Sequence, residues 1–198
     1  MCSSDLKLAN DLVDSNKVTD PTIVVIATPT SALNGVIDRF KSLYPKSTFI
    51  DIGSTKTKVK VEVQNDLKFA ARFCPTHPMA GRELDGAEGA QSDLFVGKSW
   101  IITPLPETSG ESIVLVKELI EKLGARVIAM SPEDHDAAVA AVSHLPQVIS
   151  SLLAAQLEGK SPEHLALAGT GVLDTTRIAG SNPALWEDRK STRLNSSH

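Results

Sequence analysis

Thr22-Ile-Val-Val-Ile-Ala27, followed at once by Thr28-Pro29-Thr30-Ser31, is the stretch whose reading decides the fold. An unbroken β-branched run predicts a strand buried on both faces, as in a parallel sheet. Pro29 ends the strand, and Thr30 or Ser31 is placed to cap a helix. Leu33, Val36, Ile37 and Phe40 recur at helical spacing and predict an amphipathic helix that Pro45 stops. A strand, a polar turn and a helix make the first half of a βαβ unit.

Downstream the same alternation repeats. Ser47 to Ile52 predicts a second strand, Gly53-Ser54-Thr55 a turn, and residues 56–65 a helix. Lys68 to Cys74 predicts a third strand, Trp100 to Thr103 a fourth and Ala125 to Met130 a fifth. Between the last two, Ser112 to Leu123 is helical, with Ile113, Val116, Leu119 and Ile120 on one face and Gly124 at its C-terminal end. Strand–helix alternation of this kind implies an α/β fold with a doubly wound parallel sheet. The composition changes at Ser131. Ser131-Pro132-Glu133-Asp134 reads as a helix start, with a capping serine, proline at the first helical position and acid in the first turn. The chain is then rich in alanine and leucine as far as Leu157, interrupted by Pro146, and predicts a second, all-helical domain.

The 198 residues suit one large domain or two small ones. A net charge of −4 gives no electrostatic reason to expect nucleic acid or an anionic membrane as partner. No apolar run is expected to reach the roughly 20 residues that span a bilayer. Cys2 and Cys74 do not make a disulfide framework, so a reducing cytoplasm is the expected location. Residues 1–6 and 189–198 are polar and without periodicity, resemble translated adapter sequence, and are expected to be non-native tails.

In an open parallel sheet, ligands bind beyond the carboxyl ends of the strands. Three segments lie there: Thr28-Pro29, Gly53-Ser54-Thr55-Lys56, and Pro75-Thr76-His77-Pro78-Met79-Ala80-Gly81. Gly53 allows close backbone approach, and Ser54 and Thr55 offer hydroxyls. Strand-to-helix turns need such residues for capping whether or not they bind anything. His77 is the one side chain among them whose ordinary pKa lies near neutrality, which makes it the natural general base. A lone loop histidine is equally an ordinary solvated side chain, but Pro75 and Pro78 stiffen the backbone on either side of it.

Five motifs stand in register: Asp51-Ile-Gly-Ser-Thr-Lys56, His77-Pro-Met-Ala-Gly81, Leu94-Phe95 with Trp100-Ile-Ile-Thr-Pro104, Ser143-His-Leu-Pro146, and Asp174-Thr-Thr-Arg-Ile-Ala179. Together they resemble the prephenate/arogenate dehydrogenases of tyrosine biosynthesis, from about Thr22 to Trp186. The resemblance implies a partial Rossmann-type dinucleotide-binding domain over 7–130 that lacks its first strands, and the start of a helical substrate and dimerisation domain over 131–188. It implies oxidative decarboxylation of prephenate or arogenate, with hydride transfer to NAD or NADP. His77 would accept the hydrogen bond of the ring hydroxyl, with Ser54 near the same hydroxyl and the nicotinamide. Thr28, Pro29, Gly53 and Ser54 would line the cofactor. Arg177 would clamp a substrate carboxylate, as a bidentate guanidinium can; an ion pair with Asp174 is the plainer reading of that residue. His144 is the preferred pocket histidine. His135, nine residues away on a helix, would face the opposite side and is equally a structural residue. Gln147 stands where some relatives carry a histidine, which leaves the side-chain end of the substrate pocket open. No metal is implied, and the partners are the small-molecule substrate and, at full length, a second subunit.

The glycine fingerprint Gly-x-Gly-x-x-Gly is missing from the sequence. Gly169-x-Gly171 does not supply it, because Asp174 occupies the third position and no predicted strand precedes it. The chain is therefore expected to be a piece cut at both ends, with an apolar sheet edge exposed and with poor solubility or no activity by itself. Two other functions fit the same fold: a β-hydroxyacid-type dehydrogenase, which the His-Pro-Met motif argues against, and a degenerate metabolite-sensing module without catalysis.

Overall fold

The structure, a computed structural model, describes residues 21–80 and 91–180. Gly81, Trp186 and the expected tails at 1–6 and 189–198 lie outside the described residues. The chain divides into two compact units, Met1–His135 and Asp136–His198.

The first unit contains β1 (Ile23–Ile26), α1 (Leu33–Phe40), β2 (Thr48–Asp51), α2 (Thr57–Gln64), the single turn α3 (Leu67–Ala70), β3 (Thr76–Pro78), β4 (Ser99–Ile102), α4 (Gly110–Lys122) and β5 (Arg126–Ala129). The first turn of α5 (Pro132–Val139) closes it. β1 and β2 pair in parallel, from Ile23 opposite Thr48 to Ile26 opposite Asp51. β4 pairs in parallel with β5 and antiparallel with β3. Residues 72–76 run beside β2 and connect the two groups: Phe49 N–H donates to the Arg72 carbonyl at 2.7 Å, and Cys74 N–H donates to the Phe49 carbonyl at 2.9 Å. The sheet is thus parallel except for β3.

β2 is the axis of the unit because all four of its residues are buried. Successive strand side chains point to opposite faces. Phe49 therefore joins one core cluster with Leu33, Ile37, Phe40, Val59 and Phe69. Ile50 joins the other, with Trp100, Ile102, Val116 and Ile120. Helices α1 and α2 cover the first face and α4 the second, which is the doubly wound arrangement. Arg72 fastens the end of α1: its guanidinium donates to the Tyr44 carbonyl at 2.7 Å and lies 5.0 Å from the centroids of both the Phe49 and Phe69 rings.

Several expectations change. β1 is not buried on both faces: Val25 is 49% exposed and only Ile26 is buried. Among the described residues β1 pairs with β2 alone, and the second core cluster reaches Ile23 but not Val25. Thr30 and Ser31 do not cap α1; they belong to a 3-10 turn, Thr30–Ala32, that leads into it. Lys68 to Cys74 is not a strand. Asp66 caps α3 by accepting from Phe69 N–H at 3.1 Å. Phe69, Ala70 and Phe73 then all enter the core at helical spacing, and only Phe73 makes a single parallel bridge to Phe49. Ser112 to Leu123 is a helix as expected, beginning at Gly110 on a Ser109 cap and ending before Gly124, whose φ is +75°. The Ser131 cap also forms, with Asp134 N–H donating to Ser131 Oγ at 3.0 Å.

The second unit contains a π-helical turn (Ala140–His144), α6 (Leu145–Leu157), α7 (Pro162–Leu165), α8 (Thr170–Thr176) and a 3-10 turn (Arg177–Gly180). α6 packs on α8 and on that 3-10 turn. Pro146 does not break the helix. It brings no N–H to the i−4 carbonyl, and the widened π turn just before it absorbs the defect. The helical run Pro132–Leu157 is therefore continuous, and by length and composition it is apolar enough to cross a membrane, with mean hydropathy 1.5 over its most apolar window. That corrects the expectation that no apolar run approaches the length needed to span a bilayer. Gly169 is the N-cap of α8, which follows α7 rather than a strand, so Gly169-x-Gly171 is no phosphate loop.

Candidate active site

Asp51 is the last residue of β2, at the strand's carboxyl end, and is buried. A buried carboxylate must be paired and hydrogen-bonded to remain charged. It takes Lys56 Nζ and, at 2.9 Å, Gly53 N–H on Oδ2, and Thr76 N–H at 3.2 Å on Oδ1. Its carbonyl accepts from Thr76 Oγ1 at 2.6 Å. Lys56 is itself wholly buried. One residue thus ties the turn that carries Ser54 to the strand that carries His77. Gly53 suits the crowding at this hub: a Cβ there would stand 3.0 Å from Asp51 Oδ2 and 3.5 Å from Thr30 Oγ1.

His77 is not on a loop. It is the central residue of β3, opposite Ile101 of β4. Thr103 N–H donates to the Pro75 carbonyl and Met79 N–H to the Ser99 carbonyl, so the hydrogen-bonded pairs fall at 75, 77 and 79. Pro78, opposite Trp100, occupies a non-hydrogen-bonded position where a missing N–H costs nothing. The prolines therefore fit a short strand as well as a stiff loop. The His77 side chain is half-buried, and its Nδ1 lies 2.9 Å from Nε2 of His135, a fully buried residue in the first turn of α5. The two rings meet edge to face, centroids 5.1 Å apart and planes at 67°. Lys60 on α2 donates to Glu133 at 2.7 Å and fastens that same helical turn.

Asp51 and β3 bring Gly53, Ser54 and His77 to one end of the sheet. Thr28 and Pro29 follow β1 at the same carboxyl edge, both exposed, and Gly53 and Ser54 are half-buried. The Thr55 hydroxyl, in the same turn, is buried with no hydrogen-bond partner among the described residues. A polar surface with an unsatisfied hydroxyl, at parallel strand ends, fits the polar end of a dinucleotide. The diphosphate cradle has no counterpart in this sequence.

His144, Gln147 and Arg177 belong to the second unit. His144 is half-buried at the end of the π turn. Gln147 is buried near the start of α6, with its amide 3.4 Å from Ser151 Oγ. Arg177 is exposed on the 3-10 turn that packs against α6. Sequence reasoning assigned no role to Asp51, Lys56 or Thr76, and it left His135 open. An acidic residue at the end of a predicted strand, with a lysine five residues on, was the available signal for the first two. Nothing in the spacing signals the 77–135 contact. No group of histidine, cysteine and carboxylate side chains among the described residues could hold a metal.

Cys74 lies behind the site, wholly buried. Burial, reinforced by the Asp51 carboxylate, pushes its thiol up to about 12 from an ordinary 9.0. The folded protein should not react at Cys74 with a thiol-specific disulfide reagent near pH 8, whereas denatured protein should. A thiol whose pKa is raised by folding stabilises the native state below its unfolded value. Stability should accordingly fall as pH rises from about 9 towards 12, as read from urea midpoints.

Two family models match the chain: "prephenate dehydrogenase, nucleotide-binding domain" over residues 3–129 and "prephenate dehydrogenase, dimerization domain" over residues 131–192. Prephenate dehydrogenase of Bacillus subtilis is 32% identical over 190 residues, which is 92% of this chain and 51% of that protein. The crystal structure of prephenate dehydrogenase from A. aeolicus, in complex with hydroxyphenyl propionate and NAD+, is 32% identical. It superposes with a TM-score of 0.79, covering 89% of this chain and 62% of that one. Synechocystis arogenate dehydrogenase is 26% identical with a TM-score of 0.71, covering 90% of this chain and 69% of that one. The chain spans about half the length of the Bacillus relative.

Proposed function

The chain belongs to the prephenate dehydrogenase family, and we propose that it carries the acid–base half of an oxidative decarboxylation of prephenate or arogenate. The observation that carries this reading is the His77 ring, held in β3 with its Nδ1 2.9 Å from Nε2 of the buried His135. NAD or NADP would supply the acceptor for the hydride that leaves the carbinol carbon of the substrate. His77 accepts the proton of the hydroxyl on that carbon, which becomes a carbonyl. The ring carboxylate then leaves as carbon dioxide, its bonding pair enters the ring, and His77 returns the proton to the oxygen of the new phenol. Ser54 orients the same hydroxyl. Thr28, Pro29, Gly53 and Ser54 hold the nicotinamide end. In the second unit, Arg177 is assigned a substrate carboxylate, and His144 and Gln147 are assigned further substrate contacts. The domain boundary falls near residue 130, and the reducing cytoplasm suits the free thiol of Cys74.

Assay of the full-length protein with prephenate and arogenate, each with NAD and NADP, tests this. Reduced cofactor should form, with carbon dioxide released in equal amount, in at least one combination. Silence in all four would leave the metabolite-sensing module as the better reading.

The second unit is the dimerising part. Val142, Leu145, Val148, Ile149 and Leu152 recur at helical spacing and are 44–68% exposed. Polar Gln147 and Ser150 lie on the opposite, buried side of the same helix. A bundle of helices from a second subunit, rather than lipid, suits an apolar stripe whose helix buries polar groups. The protein should therefore run as a homodimer in sedimentation experiments, and Leu152→Lys should shift it towards monomer. A monomeric parent protein would remove the basis for this assignment.

A further inference from the structure

We propose that His135 is a positioning residue that sets the tautomer of His77, and so decides whether His77 is a base or a donor. The inference rests on His77 acting as the base.

His77 Nδ1 and His135 Nε2 are 2.9 Å apart. At that distance one proton lies between them, because two N–H groups would repel and two lone pairs would gain nothing. A neutral imidazole carries its proton on one nitrogen only. Two arrangements follow. If the proton belongs to His77 Nδ1, then His77 Nε2 has the lone pair and can accept the substrate's proton, while His135 carries its own proton on Nδ1. If it belongs to His135 Nε2, then His77 Nε2 carries a proton and cannot act as a base. The chemistry needs the first arrangement, so His135 Nε2 must be an acceptor.

The surroundings are built to hold the pair. His135 is fully buried, and its N–H donates to the Ser131 carbonyl at 3.0 Å in the capped first turn of α5. The Lys60–Glu133 pair fastens that turn to α2, and the β3–β4 ladder fixes the backbone of His77. The two ring planes meet at 67°, with Nε2 of His135 2.9 Å from Nδ1 of His77. When His77 takes the substrate's proton on Nε2, the Nδ1–H bond to His135 becomes charge-assisted and strengthens. The contact therefore favours the protonated state formed during reaction. In this it resembles the outer partners that orient other functional histidines.

The test combines spectroscopy with two variants. In unliganded protein labelled with 15N at histidine, near pH 8, His77 should show a protonated Nδ1 and an unprotonated Nε2. In His135→Leu, which removes the acceptor, His77 should revert towards the Nε2–H form that free imidazole side chains prefer. kcat should fall about 10- to 100-fold with KM little changed. His135→Gln, whose amide oxygen can accept from Nδ1, should recover most of that loss. Finding His77 in the Nε2–H form in the parent protein overturns the proposal, and does so whether or not the protein proves to be a dehydrogenase. Equal losses in the Leu and Gln variants, with the His77 tautomer unchanged, would also overturn it and reduce His135 to a packing residue.

Discussion

Lys56→Met should destabilise the first unit by about 3–5 kcal/mol, the usual cost of removing one partner from a buried ion pair. Lys56 is 0% exposed and Asp51 3%. Deleting the ammonium leaves a carboxylate in the interior that is held, among the described residues, by the Gly53 and Thr76 amides. Methionine keeps the volume and the straight chain, so the loss isolates charge from packing. Adding Asp51→Asn should recover part of the stability, since an amide oxygen can still accept from an N–H and no longer carries charge. Replacing both residues by apolar ones would instead orphan the two backbone amides. Urea unfolding followed by circular dichroism measures all of these. A loss under about 1 kcal/mol for Lys56→Met would mean that the pair contributes no more than a surface bridge does.

His77→Asn should lower kcat by roughly 10²–10⁴-fold, the range expected for loss of a positioned general base, with little change in KM. Asparagine can still hydrogen-bond a hydroxyl, so the substrate is held, but the amide cannot take its proton. In the proposed reaction the hydride leaves a carbon whose oxygen must lose that proton, so the penalty appears in the chemical step rather than in binding. Turnover within about threefold of the parent would place the base elsewhere and end the mechanism given above. The two experiments separate cleanly. Lys56 and Asp51 act on whether the strand ends hold together, and His77 on what they do once held.

Much of the fold is legible in the chain itself. β2, α1, α4 and the Ser131 cap each depend on a local pattern, namely a short strand-like run before a glycine turn, an apolar helical stripe or a capping serine, and each forms where that pattern lies. The 67–73 segment misleads because Phe69, Ala70 and Phe73 satisfy a short apolar strand and a helical turn equally; the Asp66 cap decides between them. Val25 is not legible because its exposure depends on which cluster reaches it, not on its neighbours in sequence. For the site, the rule that ligands gather at the carboxyl ends of parallel strands is enough to pick out His77, Ser54 and Gly53 from the sequence. The Asp51 hub lies within reach of the same rule, since Asp51 ends β2. His135 does not, because 58 residues separate it from His77 and only the closure of β5 onto β4 brings them together.

The π turn at Ala140–His144 makes the second unit sensitive to a kind of change that side-chain substitutions do not make. A π turn amounts to one residue more than an α-helix requires, held in place without breaking the helix. Everything after it is therefore phased by that surplus residue. Deleting a single residue from this turn would let the helix return to regular winding with α6 in its present phase. Inserting one more would exceed what the turn absorbs and would rotate α6 by about 100° relative to what precedes it. Gln147 and Ser150 would then leave the face they now bury, and the Leu145–Leu152 stripe would swing with them. Over these five residues, the chain can lose a residue more easily than it can gain one.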